Sequence, residues 1–231
     1  MTILSVFQSV APVIGIEIPS AVMASTEREH VELASLANEM AGRIARGHDW
    51  QRFSTVATLT GDGSSTAFDL PSDYDRMQDE SRVWSSSIEG PLTHIKSLDE
   101  WLGLDVHVYD LVINAWIIYG GQMHIRPAMA AGVTAKFFYQ SNLIVAPESG
   151  SNKVAFTLDT DTFRLDEQLL KLGIIWQWKA NKGQAYAEDM ANYEQLLSRR
   201  AAKDGGSKKL TIGRVRMPAD TTIAYPVPIQ P

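Results

Sequence analysis

The sequence has no cysteine among its 231 residues, and this absence excludes several kinds of chemistry. A chain without thiols has no disulfide scaffold, thiolate zinc site, iron–sulfur cluster or cysteine nucleophile. The chain also lacks the ~20 consecutive apolar residues that a membrane helix needs. No Lys or Arg precedes Arg28, so the positively charged start of a secretory signal is missing. We therefore expect a soluble intracellular product.

Patterns that identify enzymes are also missing. The five histidines do not form the spaced pair with Glu that a metalloprotease helix supplies, and no Ser lies in a Gly-x-Ser-x-Gly elbow. The glycine-rich stretch 61–65 lacks the Lys-Ser/Thr of a phosphate-binding loop and precedes a predicted strand. We predict that the protein is not an enzyme and that it has no catalytic residue, bound cofactor or metal.

Three groups of polar residues are open to a functional and to a structural interpretation. Asp159 and Asp161, with neighbouring threonines, offer oxygens for calcium, but capping of the following helix is favoured because the calcium-loop spacing is absent. Asp69, Asp73 and Asp75 form either an acid/base pair or a turn, and the turn is the commoner use. The adjacent His48 and Asp49 form either a catalytic dyad or the polar end of a helix, where a His complements the helix dipole.

Apolar residues at helical spacing predict two helices before residue 50. A short helix is expected over 3–10, followed by a linker that contains Pro12, Gly15 and Pro19. The next helix is expected to begin at a capping box formed by Thr26 and Glu29 and to end near residue 46, before Gly47.

Helical spacing returns after residue 161. Asp166 or Thr162 can cap a helix whose apolar face is Leu169, Leu172/Gly173, Trp176 and Ala180. The sequence Asn181-Lys182-Gly183 predicts a stop or kink. A second helix follows, with an apolar stripe and an end at Gly205-Gly206; the stripe is Tyr186, Met190, Tyr193 and Leu197.

Between these helical parts the pattern is typical of β-strands. Strands are expected over 53–59 and 66–70 around a turn at 60–65, and further short strands over 82–85, 92–95 and 133–140. Ser97 can cap a short helical turn. The sharpest hairpin joins 115–119 to 122–125 through Gly120-Gly121 and stops at Pro127. In the last strand, Ala135, Phe137 and Tyr139 share one face.

These elements predict an α+β fold. We expect an antiparallel helical bundle interrupted by a β-sandwich-like insertion, with an extended C-terminal arm. The predicted domains are 1–50 for the first bundle helices, 51–160 for the β insertion, 161–204 for the last bundle helices and 205–231 for the arm.

Charge is divided unevenly along the chain. Residues 199–231 contain seven basic and two acidic residues, a net charge of +5, which leaves −11 for the first 198 residues of a chain whose net charge is −6. The tail also contains four prolines after residue 205 and has no periodicity. Such a segment is expected either to be a frayed end or to gain its order by binding a partner.

The order of several short motifs resembles the head-to-tail adaptor proteins of tailed bacteriophages, which are connector proteins similar to tail-tubular protein A. The resemblance covers about 25–200, and the Trp-x-Trp-Lys helix is its most telling part. The motifs are IARGHDWQ at 44–51, LPSDY at 70–74, GPL at 90–92, YGGQMHIRP at 119–127, FRLDEQLLKLGIIWQWK at 163–179 and GQAYAE at 183–188.

The resemblance implies a structural virion protein at the head–tail interface, assembled in the host cytoplasm. Its subunits would form a homo-oligomeric ring, typically dodecameric, beneath the portal protein and above a tail nozzle, tail-tube or terminator protein. The ring would continue the channel for genomic DNA, which would pass through during ejection without specific binding, and no membrane would be involved. An acidic body fits such a channel because its lumen would repel DNA.

The same resemblance implies which residues make contacts. The arm would bind the portal, and its candidate residues are Lys208, Lys209, Leu210, Ile212, Arg214, Val215, Arg216, Ile223, Tyr225 and Val227. Trp176 and Trp178, two apart on one helix, point to different faces, so one is expected in the core and the other at the surface. The candidates for the subunit interface are Trp176, Trp178, Tyr186 and Tyr193.

Two alternatives stay open at this point. A head-completion or stopper protein that closes the channel belongs to the same phage class. A carbohydrate-binding or hydrolytic module belongs to a different class, and it would use aromatic residues of the β region as a stacking platform. The candidates for that platform are Trp84, Trp101, Trp116, Tyr119 and Tyr139.

Overall fold

A computed structural model describes residues 1–106 and 114–205. The helices are α1 (Ile3–Ile14), α2 (Arg28–Arg46), α3 (Leu98–Val106), α4 (Glu167–Asn181) and α5 (Ala187–Asp204), with a 3₁₀ turn at Gln51–Phe53. The strands are β1 (Ser54–Thr60), β2 (Ala67–Asp69), β3 (Tyr74–Met77), β4 (Trp84–Ser85), β5 (Thr93–His94), β6 (Ala115–Tyr119), β7 (Gln122–Arg126), β8 (Thr134–Ser141), β9 (Val145–Ala146) and β10 (Thr162–Phe163). This content confirms the α+β class.

The described chain divides into two compact units. The helical unit consists of 1–57, 70–81 and 137–205, and the strand unit consists of 58–69, 82–106 and 114–136. The helical unit contains α1, α2, α4 and α5, and the strand unit contains α3, β2 and β4 to β7. The boundary between the units falls inside β1 and β8, so the three-part helical unit is assembled from segments distant in sequence.

Helix α1 is longer than the predicted 3–10 helix and includes Pro12, where the sequence predicts a linker. Thr2 caps it by accepting a hydrogen bond from the Ser5 N–H, and it ends at Gly15, whose φ of 80° is left-handed. A proline removes one helix hydrogen bond. The helix nevertheless continues because Val10, Ala11 and Ile14 bury their side chains in the core.

Helix α2 confirms the predicted end at Gly47, but the Thr26–Glu29 capping box is wrong. The helix begins at Arg28, and Glu27 precedes it without a side-chain capping bond. Ser25, two residues before Glu27, supplies the local side-chain contacts: its Oγ accepts a hydrogen bond from the Glu27 N–H and lies 2.8 Å from Nδ1 of His30. The buried stripe from Leu33 to Ile44 has the predicted spacing.

Helix α4 is capped by Asp166, which accepts a hydrogen bond from the Gln168 N–H at 2.8 Å. Its buried face differs from the predicted one: Leu170, Ile174 and Ile175 are in the core, while Trp176 is only half-buried. The reason is that α4 packs against α1, α2 and α5, so that more than one stripe is covered. On α5 only Tyr193 of the predicted stripe is fully buried.

The glycine hairpin is confirmed, since β6 pairs antiparallel with β7 in the register Tyr119↔Gln122. The strands expected on either side of the 60–65 turn are present as β1 and β2, but they do not pair with each other. Strand β1 lies in the sheet of order β1-β8-β3, where β4 also pairs with β8, whereas β2 lies at the edge of a second sheet of order β2-β7-β6-β5. The turn between them redirects the chain from one sheet to the other.

Candidate interaction surface

The predicted contact residues fall into two groups. The ten candidates in the arm, from Lys208 to Val227, lie outside the described residues. The four aromatic candidates lie on the hairpin of α4 and α5 in the helical unit, and their surroundings are described.

The four aromatic side chains differ in exposure. Trp178 and Tyr193 are core residues, with 3% and 6% of their surface exposed. Trp176 is half-buried, and Tyr186, which precedes α5, is 41% exposed. The ring of Trp176 lies 6.5 Å from that of Tyr186 and 6.1 Å from that of Tyr193. As expected for residues two apart on a helix, Trp178 points into the core and Trp176 points to its edge.

Cationic side chains lie over both tryptophans. The Arg43 guanidinium is 5.7 Å from the Trp176 ring centre, and the Lys182 ammonium is 4.7 Å from that of Trp178. Lys182 also forms an ion pair with Glu32 of α2. Within the described residues, the buried Nε1 of Trp176 has no hydrogen-bond partner. The hairpin therefore has an aromatic edge formed by the half-buried Trp176 and the exposed Tyr186, while Nε1 of Trp176 lies in its interior.

The aromatic residues of the β region do not form an exposed stacking platform. Trp101, Trp116 and Tyr139 are buried, and only Trp84 and Tyr119 have large exposed fractions. Tyr119 is already occupied by a neighbour, since its ring stacks on His124 with 3.8 Å between centres. A sugar ring would find no continuous aromatic surface among these five residues.

The carboxylates of the 159–161 loop hold other segments of the helical unit, so the interpretation as caps of the next helix is wrong. Asp159 accepts hydrogen bonds from the N–H groups of Val22 and Met23. Asp161 is fully buried and accepts from the Lys153 ammonium at 2.8 Å and from the Thr157 and Leu158 N–H groups. Burial works to raise the pKa of Asp161, but these donors outweigh it and lower the pKa below 3.8.

The other polar groups separate in the structure. Asp73 accepts from Tyr139 and Ser141, Asp75 pairs with Arg76, and Asp69 belongs to the strand unit. These three residues do not form an acid/base pair. Burial and the Asp73 carboxylate raise the pKa of Tyr139.

The adjacent His48 and Asp49 use different partners. Nε2 of His48 lies 3.9 Å from Oδ2 of Asp204, while Asp49 accepts from Arg76 at 2.8 Å. The catalytic dyad is therefore not formed. Among residues 1–106 and 114–205, no group of His, Asp and Glu side chains could hold a metal ion, and no helix is long and apolar enough to cross a membrane.

One cavity lined by cations was not foreseen from the sequence. It has a volume of about 570 Å³ and lies in the helical unit, where the end of α5 meets the start of α4; its lining includes Arg52, Arg164, Arg200 and Lys203. We call it the arm-root pocket, because α5, which precedes the predicted arm in the sequence, ends beside it. Only the density of basic residues after 199 hinted at it in the sequence, since Arg52 and Arg164 come from distant segments.

The whole chain was compared with known proteins. No curated protein matches. The family model of the SU10 adaptor protein matches residues 1–218, which is nearly the full chain. This protein therefore belongs to the SU10 adaptor protein family and is a phage adaptor protein, as its resemblance to bacteriophage head-to-tail adaptors predicted.

Proposed function

We propose that this phage adaptor protein forms the ring that joins the capsid portal to the tail and continues the DNA channel. The observation that carries this proposal is the family match over residues 1–218. The ring would be a structural part of the virion, without catalysis, and typically dodecameric by family resemblance. Its portal would lie above it, and a tail nozzle, tail-tube or terminator protein would lie below it.

The α4–α5 hairpin would supply part of the contact between neighbouring subunits. Trp176 and Tyr186 have exposed surface that a second copy can cover, whereas Trp178 and Tyr193 would support them from the core. Aromatic residues at such an edge contribute large contact area with few rotatable bonds.

The basic arm would reach from its own subunit to the portal. Its charge of +5 over 199–231 and its four prolines after residue 205 suit an extended segment that binds an acidic surface. The acidic remainder of the chain, at −11, would line the channel and repel the DNA backbone. On this basis, assembled rings should not retain duplex DNA at physiological salt; tight retention would contradict the lumen proposal.

The direct test is light scattering after size exclusion, with the adaptor alone and mixed with its portal protein. We expect a complex with the portal that contains several adaptor copies. The mixture with portal is the decisive sample. An adaptor that stays monomeric in the presence of portal would contradict the proposal.

Variants at the hairpin sharpen this test. The double variant Trp176→Ala with Tyr186→Ala should reduce the number of copies in the complex, while Val31→Ala, an exposed apolar residue on α2, should not. Equal loss in both variants would show that the hairpin is not the subunit interface.

A further inference from the structure

We propose that the arm-root pocket binds carboxylate side chains of an acidic protein partner, as a second attachment point inside the folded body. The inference rests on the proposed function in one respect: the partner is taken to be the one that the arm binds. The pocket itself is formed by described residues of the helical unit only.

The pocket has a small excess of positive charge, because its lining holds four cations and three carboxylates. Three of its cations, Arg52, Lys203 and Arg164, have no carboxylate in ion-pair contact among residues 1–106 and 114–205. Its own carboxylates, in contrast, each have a donor. Asp166 pairs with Arg200, Glu167 pairs with the N-terminal ammonium of Met1, and Asp204 accepts from the Gln51 N–H at 2.7 Å.

The guanidinium of Arg164 is fixed in the pocket by its contacts with the backbone and with an aromatic ring. Its guanidinium donates to the carbonyl oxygens of Leu143 and Arg52 and lies 5.2 Å from the ring centre of Phe53. Burial and the charge of Arg52 lower the pKa of Arg164, while the charge of Asp73 works in the opposite direction. A carboxylate placed between the two arginines would relieve this repulsion.

The position of the pocket links it to the arm. The Asp204 carboxylate at the end of α5 is anchored on Gln51 beside the pocket, and the basic segment that contains Lys208 and Lys209 follows within a few residues. A residue of extended chain spans at most about 3.6 Å. The sequence separation of Lys208 and Lys209 from Asp204 is therefore short enough for one partner to bind both the pocket and the start of the arm.

The chemistry of the pocket favours a protein over DNA. Its cations alternate with the carboxylates of Asp166, Glu167 and Asp204, so a ligand must avoid these while reaching Arg52 and Lys203. Duplex DNA carries a negative charge about every 1.7 Å of its axis and cannot interrupt that series. A protein surface can place Asp or Glu opposite the cations and Lys opposite the carboxylates.

The test measures binding of a fluorescein-labelled peptide, in which glutamates are interrupted by a smaller number of lysines, by anisotropy, with duplex DNA as a competitor. The chain used is full length and carries Lys208→Gln, Lys209→Gln, Arg214→Gln and Arg216→Gln, so that the charge of the arm does not mask the pocket. We expect this chain to retain salt-sensitive binding. Adding Arg52→Gln and Lys203→Gln should weaken that binding roughly fivefold or more, since both changes remove contacts to charge.

The matched control removes the same charge elsewhere: Lys96→Gln and Lys136→Gln, two exposed lysines of the strand unit, should leave binding unchanged. Circular dichroism melts of all variants verify folding. The proposal is overturned if the arm-neutral chain binds no peptide, if the pocket and control variants weaken binding equally, or if DNA displaces the peptide more effectively than unlabelled peptide does.

This experiment separates the inference from the proposed function. If the pocket variants do not weaken peptide binding but the portal complex forms normally, the proposed adaptor function is supported and only the second attachment point is rejected. If the pocket binds the peptide but the chain forms no complex with the portal, the pocket proposal is supported and the proposed adaptor function is rejected.

Discussion

The contacts inside the helical unit differ in kind from the contacts inside the strand unit. In the helical unit, charged and polar side chains connect segments that are far apart in sequence, as when Asn38 of α2 exchanges hydrogen bonds with the backbone of Phe156. In the strand unit, close backbone approaches and stacked rings dominate, as when His94 stacks on Trp116 with 4.1 Å between centres. Both units also have an apolar core, so the difference lies in their other contacts: side-chain bonds join distant segments of the helical unit, and single positions are tightly packed in the strand unit.

The largest expected effect is at Asp161 of the helical unit. Asp161→Ala leaves the Lys153 ammonium, whose side chain is 27% exposed, without its anion, and removes the acceptor for two backbone N–H groups. We expect the free energy of unfolding to fall by about 3 kcal/mol, the lower end for a broken buried pair because water reaches Lys153.

Urea unfolding followed by circular dichroism measures this loss. Glu39→Ala is the control, since it breaks an exposed pair with Arg43 and should cost less than about 0.5 kcal/mol. Equal costs for the two variants would mean that the charge network of the loop does not hold the helical unit.

The next effect is at Gly61 of the strand unit. A Cβ at this position would lie 2.5 Å from the Ala130 carbonyl oxygen and 2.6 Å from both O and Cβ of Met129, so the backbone has to move. Gly61→Ala should therefore destabilise this unit by about 2 kcal/mol, as overpacking does.

A separate probe in each unit shows whether Gly61→Ala destabilises the strand unit alone. The indole resonances of Trp116 and Trp178 report on the strand unit and the helical unit during urea unfolding. In Gly61→Ala, we expect Trp116 to lose its native signal at a lower urea concentration than Trp178 does. Gly103→Ala in α3 is the control, because its Cβ meets nothing within 4 Å and alanine favours the helix. A simultaneous shift of both indoles would show that the units unfold as one.

The smallest effect is the response to mild acid. Burial lowers the pKa of both His94 and His124 from 6.5, and the cations Lys96 and Arg126 act in the same direction. A lowered folded pKa means that the unfolded chain takes up protons first. The strand unit thus keeps this stability above 6.5 and loses it as the pH falls below 6.5.

Asp161 places the acid-induced loss of stability of the helical unit at a lower pH. Because its pKa is lowered from 3.8, its contribution is present above 3.8 and is lost only as the pH falls below that value. Acidification from neutral should therefore weaken the Trp116 signal before the Trp178 signal, and His124→Phe should reduce the difference. A Trp178 signal that weakens first would contradict this order.

Much of the fold was predictable because its signals are local. The spacing in α2, the Gly120-Gly121 hairpin and the alternation in β8 each depend on neighbours within a few residues. Two of the failures share one cause: Pro12 inside α1 and the transfer of the chain between β1 and β2 both depend on partners from distant segments. The capping box failed for a local reason, since Ser25 bonds to Glu27 and contacts His30.

The candidate site divides in the same way. Trp176 and Trp178 were placed on different faces by helix geometry alone, and the structure places Trp178 in the core and Trp176 at its edge. The arm-root pocket was missed because Arg52, Arg164 and Lys203 come from three separate segments, and their convergence has no signature in the sequence.

The sequence by itself determined the α+β class, the main helices, the glycine hairpin, the uneven charge and the phage adaptor family, because composition, local periodicity and motif order carry each of these. Only the tertiary structure decided which charges are satisfied. Asp161 became a buried anchor and Arg52 and Lys203 became unpaired cations of a pocket, since burial and pairing depend on which distant segments the fold brings together.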